Sequence, residues 1–253
     1  MRKKPIYVMS IAGFDPSGGA GVLADIKTFD RHKVYGFGVC SALTVQNEKE
    51  VKSVEWIDVD KILAQITTLF ETHKVSHVKI GIIESAEVLK QVCELLKKRN
   101  PSVKIIWDPI FKASSGFNFY SLTNENSISE TKKQFEALLP LIYLVTPNKT
   151  ELEQIYGDKS LEEVAATLPN DIMIYLKGGH DEKNLGKDYL LQNKRIFGLN
   201  PKKGNYFPKH GSGCVLSSAL CANFARGYPT MKACLKSKRY IEHHLSKTKG
   251  LLA

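Results

Sequence analysis

The stretch IYVMSIAGFDPSGGAGVLADIKTFDRH, residues 6–32, contains an apolar run, a glycine-rich loop and an amphipathic segment in direct succession. The apolar run over 6–11 predicts a buried first strand, and 21–32 predict the helix that follows the loop. A strand that leads through a short loop into a helix is the repeating unit of parallel sheets covered by helices. The stretch therefore favours an α/β fold.

The same alternation continues along the chain. Further apolar runs predict buried strands at 36–44, 77–83, 103–108, 141–146 and 171–179. The segments KDYLLQ and KRIFGL flank Asn193 and predict an antiparallel hairpin at the sheet edge. We expect an α/β/α sandwich of three layers, with a mostly parallel central sheet and an antiparallel edge, in a single domain over residues 1–253.

Three further segments complete this prediction. Residues 61–73 have the apolar spacing of an amphipathic helix, and another helix is expected near 128–139. The last helix is predicted over 230–248, with Met231 and Leu235 among its inward-facing residues. Residues 112–126 are rich in serine, asparagine and glycine, which is typical of a loop.

Composition excludes several classes of protein. The chain has 253 residues, of which 43% are hydrophobic and 25% charged, as in ordinary globular proteins. No apolar run approaches the roughly 20 residues that cross a bilayer, so no membrane partner is expected. The five cysteines are odd in number and have no CxxC spacing. We therefore expect reduced thiols and a cytoplasmic protein.

The net charge of +10 is open to three interpretations. A basic face can bind nucleic acid, can simply be solvated, or can attract a polyanionic small molecule such as ATP. The lysines are scattered through predicted helices without interleaved aromatic residues. This distribution favours the second and third interpretations, and we expect no nucleic-acid partner.

Polar or glycine-rich stretches follow most of the predicted strands. They are GFDPSGGAG, TVQN, KIGII, WDPI, TPNKTE, KGGH and HGSGC. In an open α/β sheet, ligands bind beyond the carboxyl ends of the strands. The fold would bring all seven stretches to this one edge, so we expect the site there and expect its two glycine-rich loops to meet.

The motif HGSGC opens a predicted helix. Backbone N–H groups of Gly211, Ser212 and Gly213 could hold a phosphoryl group at the positive end of that helix. The alternative is a tight turn before a closely packed helix. Cys214 lies in the first turn, where the helix terminus could lower its pKa below the ordinary ~8.5. It could then accept a proton from a substrate hydroxyl, or it could be a small buried hydrophobic residue.

Other polar residues are also open to two interpretations. The amide of Gln46 suits the edge of an aminopyrimidine or pyridine, or it is bonded to loop backbone. Asp25 could meet a substrate hydroxyl or favour the helix dipole. Asp108 and Glu151 could serve Mg²⁺, although Asn148 and Glu151 also have the spacing of a helix cap. Lys177 could neutralise a nucleotide phosphate or be a solvated strand end.

Taken in order, the motifs AGFDPSGGAG, ALTVQN, KIG, DPI, TPN..E, KGGH and HGSGC resemble those of the hydroxymethylpyrimidine/phosphomethylpyrimidine kinases of thiamin biosynthesis. The resemblance covers nearly the whole chain. It implies the ribokinase-like form of the α/β/α sandwich and an ATP- and Mg²⁺-dependent kinase. The implied substrate is the hydroxymethyl group of 4-amino-5-hydroxymethyl-2-methylpyrimidine, and then its monophosphate. Members of this family are often dimers, which implies a possible homodimer.

The resemblance also assigns roles to residues. Cys214 is implied as the catalytic residue, together with Gly211, Ser212 and Gly213. The implied substrate-binding residues are Gly13, Asp25, Thr44, Gln46, Ile82 and Ile110. The implied ATP-binding residues are Asp108, Asn148, Glu151, Lys177 and His210, and of these Asp108 and Glu151 are also expected to hold Mg²⁺.

The sequence departs from the family at three places. Ser212 replaces a threonine, Ile82 replaces a methionine often found against the ring, and the lysine after DPI is displaced to Lys112. Related enzymes with a GTGC-type loop phosphorylate pyridoxal or pyridoxine. A pyridoxal/pyridoxine kinase, or an enzyme of dual specificity, is therefore the alternative. From another class, the alternative is a non-catalytic ligand-binding protein with the same fold.

Overall fold

Nine strands lie within the residues that the computed structural model describes, 4–113, 116–119, 133–179 and 185–253. They are β1 (Tyr7–Phe14), β2 (Tyr35–Gln46), β3 (Val51–Trp56), β4 (Val75–Ile80), β5 (Lys104–Trp107), β6 (Leu144–Val145), β7 (Met173–Leu176), β8 (Asp188–Gln192) and β9 (Arg195–Leu199). They form one sheet in the order β3-β2-β1-β4-β5-β6-β7-β8-β9.

Seven α-helices cover the sheet within the same described ranges. They are α1 (Gly21–Arg31), α2 (Val59–Thr72), α3 (Ala86–Arg99), α4 (Lys149–Tyr156), α5 (Leu161–Thr167), α6 (Ser212–Ala225) and α7 (Thr230–Ser246). In addition, residues 133–138 are helical and continue into a 3₁₀ turn, Leu139–Leu141. Of the helix predicted near 128–139, residues 128–132 lie outside the described part.

The sheet separates two hydrophobic clusters. One contains buried residues of α2, α3, α4 and α5, and the other contains buried residues of α1, α6 and α7. Neighbouring strand residues alternate between them: in β7, Ile174 and Leu176 join the first cluster while Met173 and Tyr175 join the second. This period of two is expected when both faces of a sheet are covered by helices. The predicted three-layer α/β/α sandwich is confirmed.

The centre of the sheet is parallel and both edges are antiparallel. Strands β2, β1, β4, β5, β6 and β7 run parallel. The predicted hairpin is confirmed as β8–β9, with Asn193 and Lys194 both at positive φ in the turn. The opposite edge strand, β3, was not predicted from the sequence. It is short and carries charged residues, so its apolar signal is weak.

The last helix corrects one expectation. Met231 and Leu235 are 42% and 45% exposed, whereas they were predicted to face inward. The buried side of α7 instead follows Ala233, Ser237 and Ile241, which are spaced by one helical turn each. In the predicted loop 112–126, Lys112 and Asn118 form a bridge, and 114–115 and 120–126 lie outside the described residues.

Candidate active site

The two glycine-rich loops contact each other, as predicted. Nε2 of His210, in the loop before α6, lies 2.8 Å from Oδ2 of Asp15, in the loop after β1. Gly211 adopts a φ of 70°, and a Cβ at this position would overlap the carbonyl oxygen of Gly19. Only glycine therefore allows this close approach of the two loops.

Asp15 holds the first of these loops together. Its carboxylate accepts hydrogen bonds from His210, from the amide and hydroxyl of Ser17 and from the amide of Ala20. Burial would raise the pKa of Asp15, but these hydrogen bonds outweigh burial and hold it at about 2. His210 was predicted to bind ATP. In this structure its ring is engaged by a charged carboxylate, and contact with a nucleotide stays a prediction.

The start of α6 has no side-chain cap. Gly211 is the N-cap residue and provides no capping side chain. Within the described chain, the amides of Gly213 and Cys214 have no hydrogen-bond acceptor. Unpaired amides and the helix dipole give this end a positive potential. The predicted anion site therefore has the necessary donors.

Cys214 is buried, with 6% of its surface exposed. Burial raises the pKa of its thiol to about 11, with Asp25 and Asp108 adding to the effect, while Lys79 and the Gly21 amide oppose it. The expectation of a lowered pKa was wrong. The helix start stabilises a thiolate, but burial and the two nearby carboxylates destabilise it more. At neutral pH the side chain is a thiol.

Asp25 interacts electrostatically with this thiol and has no exposed surface. It accepts hydrogen bonds from Ser10 (2.5 Å), Lys79 (2.9 Å) and Ser218 (2.6 Å). These donors belong to β1, β4 and α6, so the carboxylate joins three elements to α1. The prediction of a direct contact with a substrate hydroxyl is corrected, because a fully buried carboxylate has no surface to offer.

Lys79 was missed as a functional candidate in the sequence. It is fully buried and pairs with Asp25. Burial would lower the pKa of Lys79, but Asp25, Cys214 and Asp108 raise it above its usual value, so the ammonium stays charged. The available signal was a lysine inside the otherwise apolar end of β4. Lysines are almost never fully buried without a partner.

A second ion pair also interacts electrostatically with Cys214. Nζ of Lys177 is 2.8 Å from Oδ1 of Asp108 and 3.4 Å from Oε2 of Glu151. Burial would raise the pKa of Asp108, but Lys177 lowers it below the usual value. Burial raises the pKa of Glu151. The predicted proximity of these residues is confirmed, with the lysine between the two acids.

This arrangement does not fit a Mg²⁺ ion held by Asp108 and Glu151. The ammonium of Lys177 lies between them, and both oxygens of Asp108 are taken by Lys177, Thr146 and Ser217. In the described part of the chain, no group of three His, Cys, Asp or Glu side chains is placed to hold a metal. This structure therefore does not support Asp108 as a metal ligand, because the Lys177 ammonium lies between the two carboxylates and both oxygens of Asp108 already accept hydrogen bonds within the protein.

Asn148 and Glu151 form a capping box at the start of α4. Oδ1 of Asn148 accepts from the Glu151 amide (2.9 Å), and Oε2 of Glu151 accepts from the Asn148 amide (2.7 Å). The capping interpretation of these two residues is confirmed. A bridge between Asn148 and Lys177 brings the cap next to the lysine. Contact of either residue with a nucleotide stays a prediction.

Three residues of the predicted substrate pocket lie together. A Cβ on Gly13 would overlap the side chain of Ile82. Thr44 donates a hydrogen bond of 2.8 Å to the carbonyl of Phe14, the residue after Gly13. Gln46 ends β2 and Ile110 follows β5, and both are partly exposed. Their roles in substrate binding stay predictions.

The central parallel sheet carries an uncapped helix start at its carboxyl edge, next to two lysine–carboxylate pairs. Such a site suits a phosphotransferase, since its donors and cations can hold phosphate groups. Residues 15–252 match the family described as Phosphomethylpyrimidine kinase. The chain belongs to this family.

Individual relatives agree with this assignment. A hydroxymethylpyrimidine/phosphomethylpyrimidine kinase of Aquifex aeolicus is 36% identical over 254 residues, covering 97% of this chain and 96% of the relative. The crystal structure of a phosphomethylpyrimidine kinase from Clostridium difficile superposes with a TM-score of 0.75 at 33% identity, covering 94% and 99% of the two chains.

A third similarity concerns the fold. The pyridoxal kinase of Staphylococcus aureus, in complex with AMP-PCP and pyridoxal, has a TM-score of 0.78 at 24% identity and covers 96% of this chain and 89% of its own. Among the described residues, no helix combines the length and the apolar character needed to span a bilayer.

Proposed function

We propose that the chain transfers the γ-phosphoryl group of ATP to the hydroxymethyl group of 4-amino-5-hydroxymethyl-2-methylpyrimidine, and then phosphorylates the monophosphate. The observation that carries this proposal is the convergence of the free amides at the start of α6, Lys177 and Cys214 on one rim. Relatives named for both reactions support the substrate. The nucleotide is supported by the AMP-PCP complex of the S. aureus kinase.

Charge stabilisation accounts for most of the chemistry. In phosphoryl transfer, negative charge spreads over the oxygens of the group in flight, and catalysis rests on positioning and electrostatics. The Gly213 and Cys214 amides would donate to these oxygens, with the ammonium of Lys177 nearby. The Asp108 and Glu151 carboxylates hold this ammonium in place. Lys177 would thus act as a positioned point charge.

The proton of the substrate hydroxyl goes to Cys214 in this proposal. The S–H bond forms on the thiolate as the O–H bond of the substrate breaks, and the substrate oxygen forms its bond to the γ-phosphorus. The bond from this phosphorus to the bridging oxygen of ATP breaks, and ADP leaves. A thiol with a pKa of about 11 is ionised to only about one part in ten thousand at pH 7. The active form at neutral pH is therefore a minor thiolate species, and activity depends on pH accordingly.

Asp108 and Glu151 do not form a metal site in this structure. The use of Mg²⁺ as a cofactor therefore stays a prediction.

We also propose a cytoplasmic location, which agrees with five free cysteines. The partner proposed is a small heterocyclic alcohol. A homodimer and the lack of a nucleic-acid partner stay predictions.

Two other functions are discriminated by one experiment. A pyridoxal or pyridoxine kinase is favoured by the similarity to the S. aureus fold and by Ile82 in the pocket wall. A non-catalytic binding protein would bind the pyrimidine without releasing ADP. The experiment measures ADP release and kcat/KM for the pyrimidine, its monophosphate, pyridoxal and pyridoxine.

We expect the pyrimidine and its monophosphate to have the higher kcat/KM. The monophosphate is the most diagnostic, because it needs room for a phosphate already on the acceptor arm. A higher kcat/KM for pyridoxal would establish the first alternative. Binding of the pyrimidine with no ADP release would establish the second.

A further inference from the structure

A cleft of about 280 Å³ lies between α1 and α7, outside the proposed phosphoryl-transfer site. Side chains of three separate segments converge on it. The residues that matter for its chemistry are Lys27, Arg31, His210, Tyr240, His244 and Lys247. Of these residues, only His210 was predicted from the sequence to have a role.

The charge of the lining is mainly positive. Lys27, Arg31 and Lys247 are permanent cations, and none forms an ion pair with a carboxylate of the described residues. Asp30 offsets part of this charge. Lys27 donates one hydrogen bond, of 2.9 Å, to the carbonyl of Gly18 and keeps two N–H groups for a ligand.

A neighbouring histidine and lysine indicate the same excess of positive charge. The pKa of His244 is lowered, first by burial and then by the charges of Lys247, Lys209 and His243. Lys209 is buried behind the cleft, and its ammonium contacts the oxygens of Thr248 and Gly250. These acceptors are neutral, so the positive charge of Lys209 has no carboxylate beside it.

One wall of the cleft belongs to the two glycine-rich loops. Gly18, Gly19 and His210 line it. His210 is held on its other side by Asp15. A ligand in the cleft would therefore rest against the back of the loops that form the proposed phosphate site.

The simplest alternative is an ordinary basic surface on a chain of net charge +10. The concave shape of the cleft and the convergence of its cationic side chains argue against an ordinary basic surface, because scattered surface lysines do not enclose a volume. Pockets for small molecules measure roughly 300–1,000 Å³, so this cleft suits a compact ligand and not a macromolecule. We propose that the cleft binds a small phosphorylated anion, at a site separate from that of phosphoryl transfer.

Pyrophosphate is the probe for a calorimetric titration of the full chain at low salt. Saturating AMP-PCP, added beforehand, fills the proposed nucleotide site. The test variant is Arg31→Ala/Lys247→Ala, which removes two exposed cations from the lining. The matched control is Lys232→Ala/Lys236→Ala, which removes two exposed cations from α7 beside Tyr228.

We expect pyrophosphate to bind with AMP-PCP present, and the test variant to weaken binding by about tenfold or more, as for the loss of charge-assisted contacts. The control should bind like the unmodified protein. Equal weakening in both variants would assign binding to general surface charge. Binding that AMP-PCP abolishes would assign it to the nucleotide site. Either result, or no binding at all, overturns the proposal.

Discussion

Burial and the surrounding charges together set the protonation state of Cys214. When all are ionised, the carboxylates of Asp25, Asp108 and Glu151 outnumber the two nearby lysine ammoniums by one. Ionising the thiol would add a second uncompensated negative charge to a buried cluster. Burial is the main reason why the pKa of the thiol is raised to about 11 and not lowered, and the carboxylates of Asp25 and Asp108 add to it.

The pH dependence of the rate follows from this raised pKa. If the thiolate is the proton acceptor, kcat should rise about tenfold per pH unit from pH 7 to 9, because both pH values lie below a pKa of about 11. Cys214→Ala should lose the slope and lower kcat by on the order of 10²-fold, with ATP affinity nearly intact. Steady-state kinetics across this pH range measure both effects.

Cys234→Ala is the matched control, since it removes another buried thiol, from α7. It should keep both the slope and the rate. A flat profile in the unmodified protein, or an unchanged rate in Cys214→Ala, would remove the thiol from the mechanism.

Lys79 is predicted to be needed for stability through its partner. Lys79→Met leaves the buried Asp25 without its cationic partner, which should cost about 3–5 kcal/mol of unfolding free energy. The double variant Lys79→Met/Asp25→Asn removes both charges and should recover most of this loss. Urea unfolding of the three proteins measures it. If the single and double variants are equally destabilised, the ion pair is not the source of the effect.

At the level of residues, the sequence predicted which side chains would meet but not their surroundings. Lys177, Asp108 and Glu151 do lie together, because strand ends of a parallel sheet share an edge. The position of Lys177 between Asp108 and Glu151 depends on the directions of the side chains. The spacing of residues along the sequence does not reveal these directions. The burial of Asp25 and the raised pKa of Cys214 depend in the same way on tertiary packing.

At the level of elements, the start of α6 depends on the backbone of Gly211. Gly211→Ala would place a side chain at a φ of 70° and against the carbonyl of Gly19. We expect a loss of about 1–3 kcal/mol in stability and a lower kcat, because the two loops must separate. Thermal unfolding and turnover measure these effects.

Gly227→Ala provides the control, because Gly227 has a similar φ of 77° with no atom within 4 Å of the added Cβ. It should cost only the backbone strain of about 1 kcal/mol and leave kcat unchanged. If both variants behave alike, the contact between the loops has no functional role.

Elements with a strong local signal were predictable from the sequence. The β1–loop–α1 unit has a long apolar run followed by a glycine-rich loop. The turn of the β8–β9 hairpin contains Asn193, and asparagine readily adopts the positive φ that this turn requires. Strand β3 and helix α5 were not predicted, since both are short and carry charged residues. Their formation depends on the neighbours they pack against.

At the level of the whole molecule, we propose a single domain over residues 1–253. The two hydrophobic clusters lie on opposite faces of one sheet and share its strands. Because both clusters pack on the same sheet, unfolding of the sheet would expose both of them to water. Calorimetry should therefore record one transition, with equal calorimetric and van't Hoff enthalpies. Two resolved transitions would indicate two folding units.

We propose that phosphate is transferred at the start of α6, between the two glycine-rich loops. A crystal structure with AMP-PCP and the pyrimidine tests it most directly. We expect the γ-phosphate to accept hydrogen bonds from the amides of Gly213 and Cys214, near Lys177, with the ring edge at Gln46. A γ-phosphate bound away from this helix start, or a pyrimidine remote from Cys214, would contradict it.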